Sequence, residues 1–136
     1  MAANTQPIFS NQGILKWGAA ITAANTATDG TGTVTTLVLG STNGNFIQKI
    51  LVKPLGTNVV TVARIFANNG SSSSIPANNA LIAEVTLPAT TLSQTAAMTG
   101  VEIPLNLVLP VGYYINVALG TAVAAGWMFS AVGGQY

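Results

Sequence analysis

The sequence predicts an all-β fold, an eight-stranded jelly-roll-like sandwich, with an immunoglobulin-like sandwich as the alternative. Three observations carry this expectation. Short runs of alternating or β-rich character recur along the chain, clusters of Gly, Asn and Pro separate them at turn spacing, and no stretch holds a helical stripe of apolar residues. A length of 136 residues fits one domain, so 1–136 is expected to form a single sandwich behind a short extended N-terminal arm of about residues 1–13.

The first strand is expected over 14–22, where Leu15, Trp17, Ala19 and Ile21 share one face and Lys16 lies on the other. The second covers 33–39, entered from Asp29-Gly30-Thr31-Gly32. The third, 46–53, places Phe46, Ile50 and Val52 inward and Lys49 and Lys53 outward, because side chains alternate across a sheet. Residues 54–58 form a turn-rich link suited to a hairpin into the fourth strand, 59–67, whose two apolar faces predict a central position. A polar loop at 68–74 ends in four serines and is the expected place for mobility.

The fifth strand, 80–87, turns Leu81, Ala83, Val85 and Leu87 to one side and Glu84 to the other; the Thr- and Ala-rich stretch 88–100 carries no assignment. The sixth, 102–109, alternates strongly, with Ile103, Leu105, Leu107 and Leu109 facing one way, and its Pro104 predicts an edge strand or a bulge. The seventh, 113–119, groups Tyr113, Ile115, Val117 and Leu119; the eighth spans 126–132. The expected core is Trp17, Phe46, Ile50, Val52, Val85, Leu87, Leu105, Leu107, Ile115, Val117 and Phe129.

Composition narrows the function. Only seven of the 136 residues are charged, against about a quarter in an ordinary soluble domain. A surface built from Thr, Ser, Asn, Ala and Gly repels other copies weakly, which predicts association. A net charge of +1 is too small for a multi-phosphate contact, so nucleic acid is not an expected partner. Residues 1–10 hold no basic region and no apolar run long enough for a secretory signal. The charge-free run 103–136 is punctuated by Pro110, Gly112, Asn116, Gly120, Thr121 and Gly126, which predicts strands and turns and not a membrane span.

Catalysis is not expected. The chain has no His and no Cys, which removes the commonest general base, the commonest metal ligand and the strongest nucleophile together. Glu84 and Glu102 are outward strand residues and not an acid–base pair, and no base is in place to activate the serines of 71–74. Gly30-Thr31-Gly32 lacks the Lys and the further glycine of a phosphate loop and is expected to be a turn. One carboxylate, Asp29, offers calcium little affinity, and Asn69-Gly70-Ser71 matches a glycosylation pattern without a secretory route. No cofactor and no metal is expected.

The candidate partner contacts are Lys49, Lys53 and Arg64, as a secondary electrostatic contribution, and the aromatic Tyr114 and Tyr136. Lys49 and Lys53 lie four residues apart, on one face of one strand.

Three stretches carry a resemblance: Pro54-Leu55-Gly56-Thr57-Asn58-Val59-Val60-Thr61-Val62-Ala63-Arg64, Ala83-Glu84-Val85-Thr86-Leu87-Pro88-Ala89-Thr90-Thr91-Leu92-Ser93, and Leu105-Asn106-Leu107-Val108-Leu109-Pro110-Val111-Gly112-Tyr113. With the Ala-, Asn- and Thr-rich start, the chain resembles the small capsid decoration, or cement, proteins of tailed bacteriophages. The resemblance implies a homotrimer that sits on the outer capsid surface, binds the major capsid protein and stabilises the shell, hence a virion protein assembled in the host cytoplasm. It transfers no site residue. A carbohydrate- or receptor-binding module of a phage tail, using exposed aromatics and loops, is the alternative, and a self-assembling coat or fibre subunit is a third.

Overall fold

The computed structural model describes residues 10–136; the expected N-terminal arm falls largely outside them. Eight strands follow in order: β1 (Gln12–Trp17), β2 (Thr35–Leu39), β3 (Asn45–Pro54), β4 (Thr61–Asn68), β5 (Asn79–Leu87), β6 (Val101–Leu109), β7 (Tyr114–Leu119) and β8 (Trp127–Gln135). The single helical turn among the described residues is a short 3-10 segment at Pro76–Asn78. β1 begins inside the expected arm and stops at Trp17, and β8 runs three residues past the expected end at 132.

The pairing is nested. β4 pairs with β5, β3 with β6, β2 with β7 and β1 with β8, all antiparallel, as if one long hairpin closed at the β4–β5 turn had been rolled up. Contacts β3·β8 and β4·β7 seal the roll into two sheets, a front sheet β1-β8-β3-β6 and a back sheet β2-β7-β4-β5. This is the jelly-roll arrangement, and the immunoglobulin order does not fit it. The order also corrects the expected hairpin at 54–58: β3 lies in the front sheet and β4 in the back, so this link crosses between sheets.

The core fills the space between the sheets. Ile47, Ile50, Val52, Trp127, Phe129 and Ala131 come from the front sheet; Ala63, Ile65, Leu87, Ile115, Val117 and Leu119 come from the back. Val85, Leu105 and Leu107 are half-buried against this cluster. β4 is central, as its two apolar faces predict, and β6 is an edge strand with Pro104 beside a register shift, as the proline predicts.

Two expected core residues point outward. Ile14 takes the inward face of β1, so Leu15 and Trp17 turn to the outside, with Trp17 63% exposed. Trp127, fully buried, is the core tryptophan, and the chain after β1 returns inward only at Ile21, which bridges Trp127. Phe46 is the second correction: the register of β3 shifts between Ile47 and Lys49, so Asn45 and Ile47 face in before the shift and Ile50 and Val52 after it. A similar shift between Ile65 and Phe66 inserts Ile82 into β5, and Leu81, expected inward, is exposed.

The long β1–β2 link crosses the outer face of the back sheet. The Asn25 backbone N–H donates to the Leu119 carbonyl on β7 (2.7 Å), Arg64 Nη1 on β4 donates to the Asn25 carbonyl (3.4 Å), and Asn79 Nδ2 on β5 donates to the Asp29 carbonyl (3.1 Å). Phe66 and Ala118 are buried yet lie outside the inter-sheet cluster, and Ala118 lines a space beneath this link with Ala20, Thr22 and Thr33.

The two tryptophans give a direct check. Trp17→Phe should remove the emission that acrylamide quenches readily, leaving the blue-shifted, protected emission of Trp127; a protected Trp17 would contradict the assigned face of β1.

Candidate interaction surface

Because six of the seven links cross from one sheet to the other, the loops gather at the two ends of the sandwich. At one end stand 55–60, 88–100 and 120–126. None of these three links contains a charged residue. A buried side chain, Asn58 (3% exposed), ties them together. Its Nδ2 donates to the carbonyls of Gly56 (3.2 Å) and Gly126 (3.1 Å), and its Oδ1 accepts the N–H groups of Ala125 and Gly126, both at 2.9 Å. Its backbone exchanges two hydrogen bonds with Thr90 (3.1 and 2.9 Å).

The same end is fastened twice more. Thr90 Oγ1 donates to the Gly56 carbonyl (2.7 Å), the Leu92 N–H donates to Thr57 Oγ1 (3.1 Å), and Thr61 Oγ1 donates to the Thr121 carbonyl (3.1 Å) while accepting the Thr121 N–H (3.0 Å). Gly56 is required here: a Cβ would come within 2.7 Å of the Ala125 methyl. Above this network the end presents Leu55, Val59, Val60 and Leu92, each between 48 and 57% exposed. Beside them a groove of about 370 Å³ runs between Pro88–Thr91 and Ala97–Thr99, lined by methyls and hydroxyls and no titratable side chain.

The sequence-derived contact residues do not converge. Lys49 and Lys53 share the outer face of the front sheet, as expected, but Lys49 is paired with Glu102 at 3.3 Å and the Lys53 stem lies over Gly100. Arg64 is on the outer face of the opposite sheet, its Nε 2.9 Å from Glu84. Tyr114 is half-buried beside Leu39 and Asn68, and Tyr136 is half-buried with its N–H on the Gly44 carbonyl (3.3 Å), both at the end opposite the Asn58 loops. Glu84 and Glu102 therefore stand on different sheets, each facing its own cation.

The Asp29 loop is built from donors. Thr31 N–H and Oγ1 both donate to Asp29 Oδ1 (3.1 and 2.6 Å), while Asn25 Nδ2 donates to the carbonyls of Thr31 and Thr33, both at 2.8 Å. These hydrogen bonds hold the exposed Asp29 carboxyl below its ordinary value of 3.8, the Thr31 side chain contributing most. Their contribution is present above the ordinary value and is lost as pH falls through the lowered one. The Asn25 amide turns its N–H groups, not its oxygen, to the carbonyls of this loop, and among the described residues no three His, Cys, Asp or Glu side chains gather as a metal group. The polar loop after β4 is knit by its own side chains, Asn68 Nδ2 to Asn79 Oδ1 (2.9 Å) and Asn78 Nδ2 to the Ser72 carbonyl (2.9 Å) among them. No helix among the described residues is long and apolar enough to cross a membrane.

Comparison of the chain with protein-family models, with curated proteins and with solved structures finds no match.

Asn58→Ala should destabilise the fold by about 3 kcal/mol or more, since it strips four buried backbone groups of their partner at once. Denaturant unfolding measures the loss, and amide exchange at Ala125 and Gly126 should accelerate more than in the β4–β7 ladder.

Proposed function

We propose that this chain is a capsid decoration protein that binds the outer surface of a bacteriophage shell as an oligomer, a trimer on the resemblance, and stabilises it without catalysis. The observation that carries the proposal is the charge-free end of the sandwich, where a buried Asn58 network fixes four exposed aliphatic side chains. Such a surface recognises a protein by shape and apolar burial. It offers no acid, base or metal ligand with which to transform a small molecule, and rigid loops lose little entropy on docking. The jelly roll serves both virion and lectin domains, so the fold alone does not choose between them.

Full burial of one Val or Leu side chain is worth about 1.5–3 kcal/mol, and these four start about half-exposed, so each can add about half of that; together they still outweigh the contribution of exposed lysines, which is about 0–1 kcal/mol per pair. On a lattice many copies act together, and a modest contact per copy reinforces the shell.

Purified protein added to capsids lacking it should bind and raise their heat resistance, with occupancy that persists at about 1 M salt, where the screening length is only about 3 Å. The double variant Leu55→Asp, Val59→Asp should weaken binding by at least about 30-fold, whereas Lys49→Gln and Lys53→Gln should change it little. Failure to bind capsids of the parent virus at any salt concentration, with attachment to a glycan or host surface instead, would transfer the chain to the receptor-binding class.

A further inference from the structure

The outer face of the front sheet carries a second, separate apolar surface. Register fixes its members: Leu15 and Trp17 on β1 stand opposite Val132 and Ser130 on β8, which in turn stand opposite Lys49 and Leu51 on β3. Leu51 faces Glu102 on β6, with Met128 and Val108 further along the same face. Trp17, Leu15 and Val108 are 63, 55 and 59% exposed. Aliphatic residues and a tryptophan outside a sheet that has already buried its other face need another partner to leave water.

We infer that this face packs against a second copy of the chain, with Trp17 as its anchor. The inference rests on the proposed assembly role and gives the oligomer a two-fold contact, since one face packed on itself is isologous, in place of the three-fold contact that the resemblance implies. Charge allows a like partner: the one acid on the face, Glu102, is neutralised by Lys49 at 3.3 Å, and the remaining base, Lys53, stands at the far end of the face with its stem over Gly100. The complementary surface is then itself nearly neutral and apolar, which is the description of this same face.

Area supports it as well. Four strands about 4.8 Å apart, with β3 ten residues long at about 3.3 Å per residue, make a face of roughly 19 by 30 Å. Two such faces cover roughly 1,100 Å², above the 1,000 Å² or so that a specific interface needs. The geometry leaves the lattice surface free, because the Asn58 loops stand at the end of the sandwich and this face lies along its side. Tryptophan is among the side chains enriched at the hot spots of such contacts.

Sedimentation equilibrium over a concentration series tests this on the full chain. Wild type should be oligomeric at tens of micromolar, and Trp17→Ser should raise the dissociation constant by at least about 30-fold. Its circular dichroism and unfolding midpoint should stay near wild type, since the residue is exposed. Val108→Asp, on another strand of the same face, should reproduce the dissociation, whereas Leu55→Asp should not. A wild type that remains monomeric throughout, or a folded Trp17→Ser with wild-type mass, overturns the inference. Capsid binding separates the two claims. Wild-type oligomers that dissociate on Trp17→Ser but attach to no capsid uphold this face and sink the decoration role, while capsid binding by a wild type whose mass ignores Trp17 does the reverse.

Discussion

One residue in the middle of β3 decides what the sandwich can bury. Ile47 pairs with Gly133 on one side and Leu107 on the other, and Lys49 pairs with Val132 and Pro104. Between these rungs β8 has no residue, β3 has Gln48, and β6 has Leu105 and Asn106, so the extra length grows by one residue per strand across the sheet. β8 and β6 therefore keep their phase while β3 changes its own, and Ile47 and Ile50, three apart, both point into the core. The geometry needs special residues: a Cβ on Gly133 would collide with the Phe46 carbonyl, and Asn106 takes a left-handed backbone (φ 49°), which Asn adopts more readily than most residues. Without this shift, strict alternation would turn either Ile47 or the pair Ile50 and Val52 toward water.

The loop end inverts the usual arrangement of apolar inside and polar outside. Asn58, Thr61 and Thr90 are buried and hydrogen-bonded to backbone groups, while Leu55, Val59, Val60 and Leu92 lie at the surface above them. Satisfied buried amides and hydroxyls are what hold irregular chain in one shape, since each unpaired group would cost about 1–3 kcal/mol. The apolar side chains contribute little to that shape from where they are. Their placement makes sense as complementarity to something else, prepared in advance by the network below.

Strand positions were legible in the sequence because period-two runs bounded by Gly, Asn and Pro leave few alternatives, and Pro104 on β6 and the two apolar faces of β4 even marked edge and centre. Faces were less legible. In β1, Ile14 on one side competes with Leu15 and Trp17 on the other, and an edge strand with apolar residues on both faces gives pattern alone no way to choose. In β3 the phase changes inside the strand, which alternation cannot signal. The link 54–58 has the same turn residues whether it closes a hairpin or crosses between sheets, and only the partners of β3 and β4 distinguish the two. The candidate surface is less legible for a related reason: Leu55 falls in the expected link 54–58, Val59 and Val60 at the start of the expected fourth strand and Leu92 in the unassigned stretch 88–100, whereas the charged and aromatic residues that attract attention are paired or dispersed. The one available signal was the complete absence of charge from 54–60, 88–100 and 120–126.

Three of the seven charges of this chain stand on edge strands, where charge matters most in a sandwich. Unpaired strand edges invite pairing with other chains, and a weakly charged surface gives little general repulsion to prevent it. Lys16 lies on the edge strand β1, Glu102 on the edge strand β6 and Glu84 on the edge strand β5. The remaining edge, β2, carries no charge but is only five residues long and has a register shift between Thr36 and Val38. Pro104 further removes a donor from β6. Arg64 and Lys49 sit one strand in from the edges and pair with Glu84 and Glu102 there, so each of these acids keeps its edge polar while it neutralises a base, and Lys53 is the one charge on an outer sheet face with no acid beside it among the described residues. The sheet faces and the loop end are thereby left free to be apolar, and association is directed to these surfaces and away from open-ended strand addition.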